Sequence, residues 1–309
     1  MKVFVAGATG AIGKPLVRML VAAEHEVTGT TRSPEKAEGI RAMGATPAVL
    51  DALDADAVGE AVGEASPDVI VHQLTALANL RFSRNFDRAF AQTNRLRTEG
   101  TNHLLAAARA AGTRRFIAQS FAGWFYAPSG SGLVSEDEPR DPNPPEGFRA
   151  GLEAIRHVER SVTGADWIEG LVLRYGGFYG PGASDEQMTA IRKRRLPLVG
   201  NGAGVWSFIH VEDAAAATAA AVERGAPGIY NIVDDDPAPV SVWLPAAAEL
   251  FGAKPPRRIP RWVARIAAGE LVTVMMTEAR GASNAKAKRE LGWQPHYASW
   301  REGFANGLG

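Results

Sequence analysis

The feature that most constrains this chain is Gly7-Ala8-Thr9-Gly10-Ala11-Ile12-Gly13, a GxxGxxG loop set directly after the apolar run Val3-Phe4-Val5-Ala6. A short apolar run of this kind reads as a fully buried parallel strand. The spacing after the loop predicts a helix from residue 12 to about 23. Pro15 falls in its first turn, where a missing N–H is harmless. Ile12, Leu16, Met19, Leu20 and Ala23 share one face of it. Gly7 permits a tight turn out of the strand, Gly10 clears the backbone for a pyrophosphate, and Gly13 lets helix and strand pack closely. The first turn of the helix then presents N–H groups and the positive end of its dipole to an anion. Gly7, Thr9, Gly10, Ala11, Ile12 and Gly13 are therefore candidates to cradle a dinucleotide.

The same alternation continues downstream. Residues 27–31, 46–50, 69–74 and 115–119 read as further strands, with helices over 34–43 and 98–111. Residues 167–173 and 229–233 read as a sixth and a seventh strand, and 149–163 and 214–222 as helices. This rhythm predicts an α/β Rossmann fold, a doubly wound parallel sheet with right-handed crossovers and a smaller C-terminal substrate lobe. Residues 1–175 are expected to form the dinucleotide-binding domain, rejoined by about 205–237, with 176–204 and 238–309 as the substrate-binding lobe. Residues 127–147 are rich in Pro, Gly, Ser and acids, and a loop this long is usually functional or disordered. Residues 262–277 read as a helix packed within protein.

Composition excludes several classes. Lys plus Arg and Asp plus Glu both number 34, so the basic excess of a nucleic-acid binder is absent. There is no cysteine, which removes disulfides and thiolate chemistry and fits a cytoplasmic chain. No apolar stretch approaches the ~20 residues of a membrane span. The expected partner is a small-molecule substrate.

The end of the second strand selects the cofactor. An acid there would bind the ribose hydroxyls of NAD. Here the run is Thr30-Thr31-Arg32-Ser33, with no carboxylate. Arg32, beside Thr31, offers a guanidinium fork to a 2′-phosphate, so NADP is the expected cofactor and NAD the alternative.

Further motifs fall in order. They are Asp51 after the third strand, Arg174-Tyr175-Gly176-Gly177-Phe178-Tyr179-Gly180-Pro181-Gly182, Ser207-Phe208-Ile209-His210-Val211-Glu212-Asp213 and Leu291-Gly292-Trp293-Gln294-Pro295. Together with the glycine loop they resemble the extended branch of the short-chain dehydrogenase/reductase superfamily, the epimerases, dehydratases and reductases. The resemblance implies that Asp51 contacts adenine, that Leu74 and Ser120 border the cofactor at strand ends, and that helices 98–111 and 149–163 build a homodimer.

The family's proton-transfer pair is missing. Its tyrosine and the lysine four residues later would act as general acid or base, with the lysine lowering the phenol's pKa. Residues four after Tyr126, Tyr175, Tyr179, Tyr230 and Tyr297 are Gly130, Tyr179, Ala183, Asp234 and Arg301. Setting Glu159 on the family's glutamate puts Gly151 and Ile155 at the two positions. Setting Phe148 on the tyrosine puts Leu152 at the lysine. Arg97 stands where the family's helix asparagine belongs, and strict alignment puts Phe121, not Ser120, on the family's serine. The chain reads as an atypical member lacking Tyr-x-x-x-Lys.

Remaining candidates are Ser120, to polarise a substrate carbonyl, and Tyr126, to supply a phenolic proton, with Tyr179 and His210 shaping the substrate site. His157 and Arg156 are within speculative reach of the cofactor ribose. No metal site is expected: Asp234-Asp235-Asp236 reads as an exposed turn, and Arg192-Lys193-Arg194-Arg195 as a solvated helix face. The reading is an NADP-dependent oxidoreductase acting on a small carbonyl or hydroxyl compound. The alternatives are a sugar-nucleotide epimerase or dehydratase, and a non-catalytic NADP-binding redox sensor.

Overall fold

A computed structural model describes residues 1–77, 86–123, 126–127 and 132–308. Six strands are β1 (Lys2–Ala6), β2 (Glu26–Thr31), β3 (Thr46–Val49), β4 (Val69–His72), β5 (Arg115–Phe121) and β6 (Glu169–Tyr175). With the strand Gly228–Ile232 they form one seven-stranded sheet. Its order is Gly228–Ile232, β6, β5, β4, β1, β2, β3, and every pairing is parallel. The strand order reverses beside β1, between β2 and β4. That switch point opens a crevice at the carboxyl ends, where such sheets bind ligands.

Alternation along each strand feeds two cores. Val3 and Val5 pack with Leu16, Val17 and Leu20 of α1 (Gly13–Ala22) and with the alanine-rich helix Val211–Glu223. Phe4 and Ala6 point the other way, onto Val58 and Val62 of α3 (Ala55–Ala65), Leu104 of α5 (Thr101–Ala111) and Val158 of α6 (Arg149–Thr163). Each fully buried Val, Leu or Phe contributes about 1.5–3 kcal/mol over an exposed one. A third core gathers Trp206, Phe208, Trp243, Met275, Trp300 and Phe304 below the C-terminal segments.

Four expectations are corrected. Residues 262–277 do not make one packed helix. Gly269, at φ 94°, breaks them into Arg261–Ala268 and Glu270–Thr277, and Trp262 and Ile266 are 67% and 70% exposed. The helix expected over 98–111 is the end of a longer rod: α4 (Phe86–Arg95), a π-turn Leu96–Gly100, then α5. Within the acidic run, Asp234 is buried, not exposed. The helix 34–43 is shorter than read, a 3₁₀ turn Pro34–Lys36 followed by α2 (Ala37–Ala42). The described part of the 127–147 loop is strapped down. Val134 bridges Ala282, Glu136 accepts from the backbone N–H of Asn231, and Glu138 pairs with Arg280.

Candidate active site

The glycine loop is fixed by contacts that only glycine allows. Gly7 lies at φ +100°, and a Cβ there would sit 3.0 Å from the Gln73 carbonyl oxygen. A Cβ on Gly13 would lie 2.1 Å from the Gly7 carbonyl oxygen, so no side chain fits while the loop keeps its course. The Gly7 N–H donates to Thr30 Oγ1 at 3.0 Å, tying the loop to the end of β2. Gly10 and Ala11 are exposed at the crevice, Thr9 is half-buried and Ile12 is buried. Beyond the ends of β2 and β3, Arg32 and Asp51 are exposed, and Asp51 Oδ1 accepts from the Leu53 N–H. Thr31 is buried and its hydroxyl oxygen accepts from the Ser33 N–H. The Leu74 N–H donates to His72 Nδ1, which leaves Nε2–H to donate to Thr101 Oγ1. Burial pushes the His72 imidazole down to about 4, the Arg97 charge adding to it against the Leu96 carbonyl, so it is neutral.

A cavity of about 400 Å³ runs from Gly10–Gly13 over the ends of β4 and β5. Its apolar wall includes Phe90, Phe121, Phe148 and Ile155, and its polar side chains are Gln73, Thr75, Gln119 and Arg97. Among the described residues no carboxylate, tyrosine or lysine lines it. Gly151 lies under the Phe148 ring, which a Cβ there would meet at 2.7 Å. Phe121, Phe148 and Ile155 form an apolar surface where β5 and α6 meet the cavity; Phe148 takes the family's tyrosine position in one register and Ile155 its lysine position in the other.

Ser120 and Tyr126 do not line this cavity. Both belong to a buried polar network behind it. Ser120 Oγ donates to Glu159 Oε1 at 2.7 Å. Arg140 donates to the same oxygen at 2.6 Å, and Arg174 grips both oxygens at 2.8 and 2.7 Å. The Tyr126 hydroxyl accepts from Arg174 at 3.1 Å, and the Arg140 guanidinium stacks 4.7 Å from the centre of its ring. Burial alone would raise the Glu159 carboxyl, but the Arg140 charge and the Arg174 hydrogen bonds prevail and hold it down to about 2.

Tyr179 and His210 also lie away from the cavity. The short strands Gly177–Tyr179 and Phe208–His210 pair in parallel, which brings their two motifs together. Tyr179 is fully buried, edge-on to Phe304 and His210. Burial, then the Asp234 and Asp213 carboxylates, push its phenol up. His210 Nδ1 accepts from the Glu212 N–H and caps the helix Val211–Glu223, while Nε2–H donates to the Gly307 carbonyl. His157 pairs with Asn102 of α5, outside the cavity.

The sequence does not single out the lining residues Gln73 and Gln119, marks Phe148 only as an aligned position, and gives Arg97 no role. The signal for Arg97 was the departure from the family's asparagine. Its side chain is 5% exposed, and Nε and Nη1 have no hydrogen-bond partner among the described residues. Burial, then the neighbouring Arg140, lower its guanidinium to about 10, so it stays charged at neutral pH.

Sheet order, glycine loop and crevice define a dinucleotide-binding α/β protein of the extended short-chain dehydrogenase/reductase type, an NAD(P)-dependent oxidoreductase. Residues 3–233 match the NAD dependent epimerase/dehydratase family, and the chain belongs to that family. It is 48% identical over 310 residues to a 3-diazoavenalumate denitrifying reductase from a Streptomyces species, covering 98% of this chain and 99% of that one. It is 29% identical to a Stigmatella aurantiaca 4-hydroxy-2-methyl-3-oxo-4-farnesyl-3,4-dihydroquinoline-1-oxide ketoreductase, across 95% and 92% of the two chains. UDP-glucose 4-epimerase from Thermotoga maritima shares the fold, with TM-score 0.77 and 22% identity over 99% of this chain and 96% of that one. No described helix is long and apolar enough to cross a membrane, and no cluster of metal-ligating side chains occurs among the described residues.

Proposed function

We propose that this protein is an NADPH-dependent reductase whose substrate takes up hydride without needing a proton from the enzyme, and that the substrate is a diazo arene. The observation that carries this reading is the apolar wall of Phe121, Phe148 and Ile155, where a carbonyl reductase of this family needs an acid. Reduction of a carbonyl leaves an alkoxide that must be protonated in the transition state, a service worth about 10²–10⁴ in rate. An aryl diazonium has no such requirement. Hydride adds to its terminal nitrogen with the electron pair of the C–H bond of the dihydronicotinamide. The neutral aryldiazene then loses N2, its hydrogen ends on the ring carbon, and arene, N2 and NADP+ result with no net proton consumed. The 48% identical relative bears the name of a reductase that denitrifies a diazo compound, which supports the same chemistry here.

The cofactor residues follow. Gly10, Ala11, Ile12 and Gly13 would hold the pyrophosphate, and Thr31 and Arg32 the 2′-phosphate ribose, with Asp51 and Leu74 flanking the adenosine. Bound NADPH supplies hydride. Gln73 and Gln119 are placed to orient the nicotinamide end within the crevice.

The test is incubation with an aryl diazonium salt and NADPH deuterated at either face of C4, against enzyme-free controls. The expected result is enzyme-dependent arene carrying one deuterium, with one N2 released per NADPH oxidised. Enzyme-dependent reduction of aldehydes or ketones, with diazo arenes untouched, would sink the reading.

A further inference from the structure

The π-turn Leu96–Gly100 interrupts a continuous helical rod and carries Arg97 on its inner side. Such turns are uncommon and recur at functional sites. Three guanidiniums, Arg97, Arg140 and Arg174, gather about one carboxylate, Glu159. That carboxylate is taken up by others: Oε1 accepts from Ser120, Arg140 and Arg174, and Oε2 accepts from Arg174. None of these bonds comes from Arg97. Its Nε and Nη1 are buried without a partner among the described residues, and the residue borders the cavity. A buried, unpaired cation is destabilising, and it is retained where a ligand completes it.

We infer that Arg97 is a specificity-determining residue, a subsite for the anionic group of an aromatic substrate, the ring lying among Phe90, Phe121 and Phe148. The inference deepens the reading above by naming the substrate class, an aryl anion such as a carboxylate or phenolate. The cavity fits it: among its described lining residues are an apolar wall, one cation, Arg97, and no acid. The cavity also takes in the glycine loop, so the cofactor's phosphates are a second source of the same negative charge, and the experiment separates the two.

The probes are cinnamate and its neutral methyl ester, titrated by calorimetry into the protein saturated with NADP+. NADPH affinity and thermal stability are read on each variant. For the wild type, cinnamate is expected to bind at least tenfold tighter than the ester. Arg97→Met is expected to lose that tenfold preference, Arg97→Lys to keep part of it, and both to bind NADPH as the wild type does. Arg97→Met is also expected to melt at the same temperature or higher, which a merely structural arginine would not allow. Equal binding of acid and ester by the wild type, or no cinnamate binding at all, overturns the inference. So does an Arg97→Met variant that keeps the preference. A parallel loss of NADPH affinity overturns it too, since it would assign Arg97 to the cofactor. These readouts involve no turnover, so failure of the diazo chemistry leaves them standing and is recognised separately.

Discussion

Glu159 shows what a single residue does here. Its carboxylate accepts four hydrogen bonds in a place where an unpaired charge would cost several kcal/mol. Removing one partner of such a pair typically costs 3–5 kcal/mol, because the other charges are left buried. Glu159→Gln leaves Arg140 and Arg174 without their counter-charge, so a loss of about that size is expected in denaturant unfolding. A change below about 1 kcal/mol would mean the network is wet or loosely made. Arg32 is the opposite case, exposed and without an ion pair among the described residues. Its worth lies in a ligand. Arg32→Ala is expected to weaken NADPH by roughly 10- to 100-fold, the scale of charge-assisted hydrogen bonds, and to leave NADH unchanged in a fluorescence titration. Equal weakening of both cofactors would remove the case for NADP. At this scale the sequence is least legible. Arg32 and the glycines announce themselves because their chemistry is local. The partners of Ser120 and Tyr126 lie 39 and 48 residues away, and no periodicity encodes such contacts.

Elements are more legible, because their signals repeat every few residues. The seven strands of the central sheet are readable to within two residues, since buried parallel strands are short apolar runs, whereas the two- and three-residue strands outside it carry no such run. What failed were interruptions. Nothing in the composition of Leu96–Gly100 marks a π-turn, and the apolar character of residues 262–277 hid the break at Gly269. Glycines show how position decides an outcome at this scale. Gly13→Ala drives a Cβ into the Gly7 carbonyl, so NADPH affinity is expected to fall at least tenfold, with a lower melting temperature. Gly59 and Gly63 of α3 are exposed, and a Cβ on either meets nothing within 4 Å. Replacing each by Ala is expected to stabilise the protein by roughly 0.5–1 kcal/mol, measured by chemical denaturation, through the lost freedom of the unfolded chain. A Gly13→Ala variant that binds NADPH normally would show the loop to be more pliant than its packing.

Across the whole molecule, two buried acids of opposite habit shift stability in opposite directions as pH changes. Asp234 follows the outer strand Gly228–Ile232, where its N–H donates to the Phe208 carbonyl at 2.7 Å and joins the sheet to the C-terminal core. Asp235 and Asp236 beside it hold Lys288 and Arg301. Asp234 Oδ1 accepts the Asp236 N–H at 3.3 Å, the Trp300 backbone N–H also favours the charged carboxylate, and Oδ2 is buried without a partner among the described residues. Burial, with the Asp236 and Asp235 charges adding to it, pushes the Asp234 carboxyl up to about 8. The folded protein therefore holds this proton more tightly than the unfolded chain does. Stability falls as pH rises from the unfolded value of 3.8 to about 8, and the cost is complete above that. Glu159 works in reverse. Its folded value is about 2 against 4.5 unfolded, so its contribution is present above 4.5 and is lost as pH falls toward 2. Glu159 and the buried His72, held down to about 4 from 6.5, both cost stability as pH falls, whereas Asp234 costs it as pH rises. Asp234→Asn keeps the shape and removes the titration. Its melting temperature is expected to match the wild type near pH 4 and to exceed it increasingly up to about pH 9, while the acid limb survives. A gap that stays constant over that range would mean Asp234 is ionised throughout and paired in a way this packing does not provide.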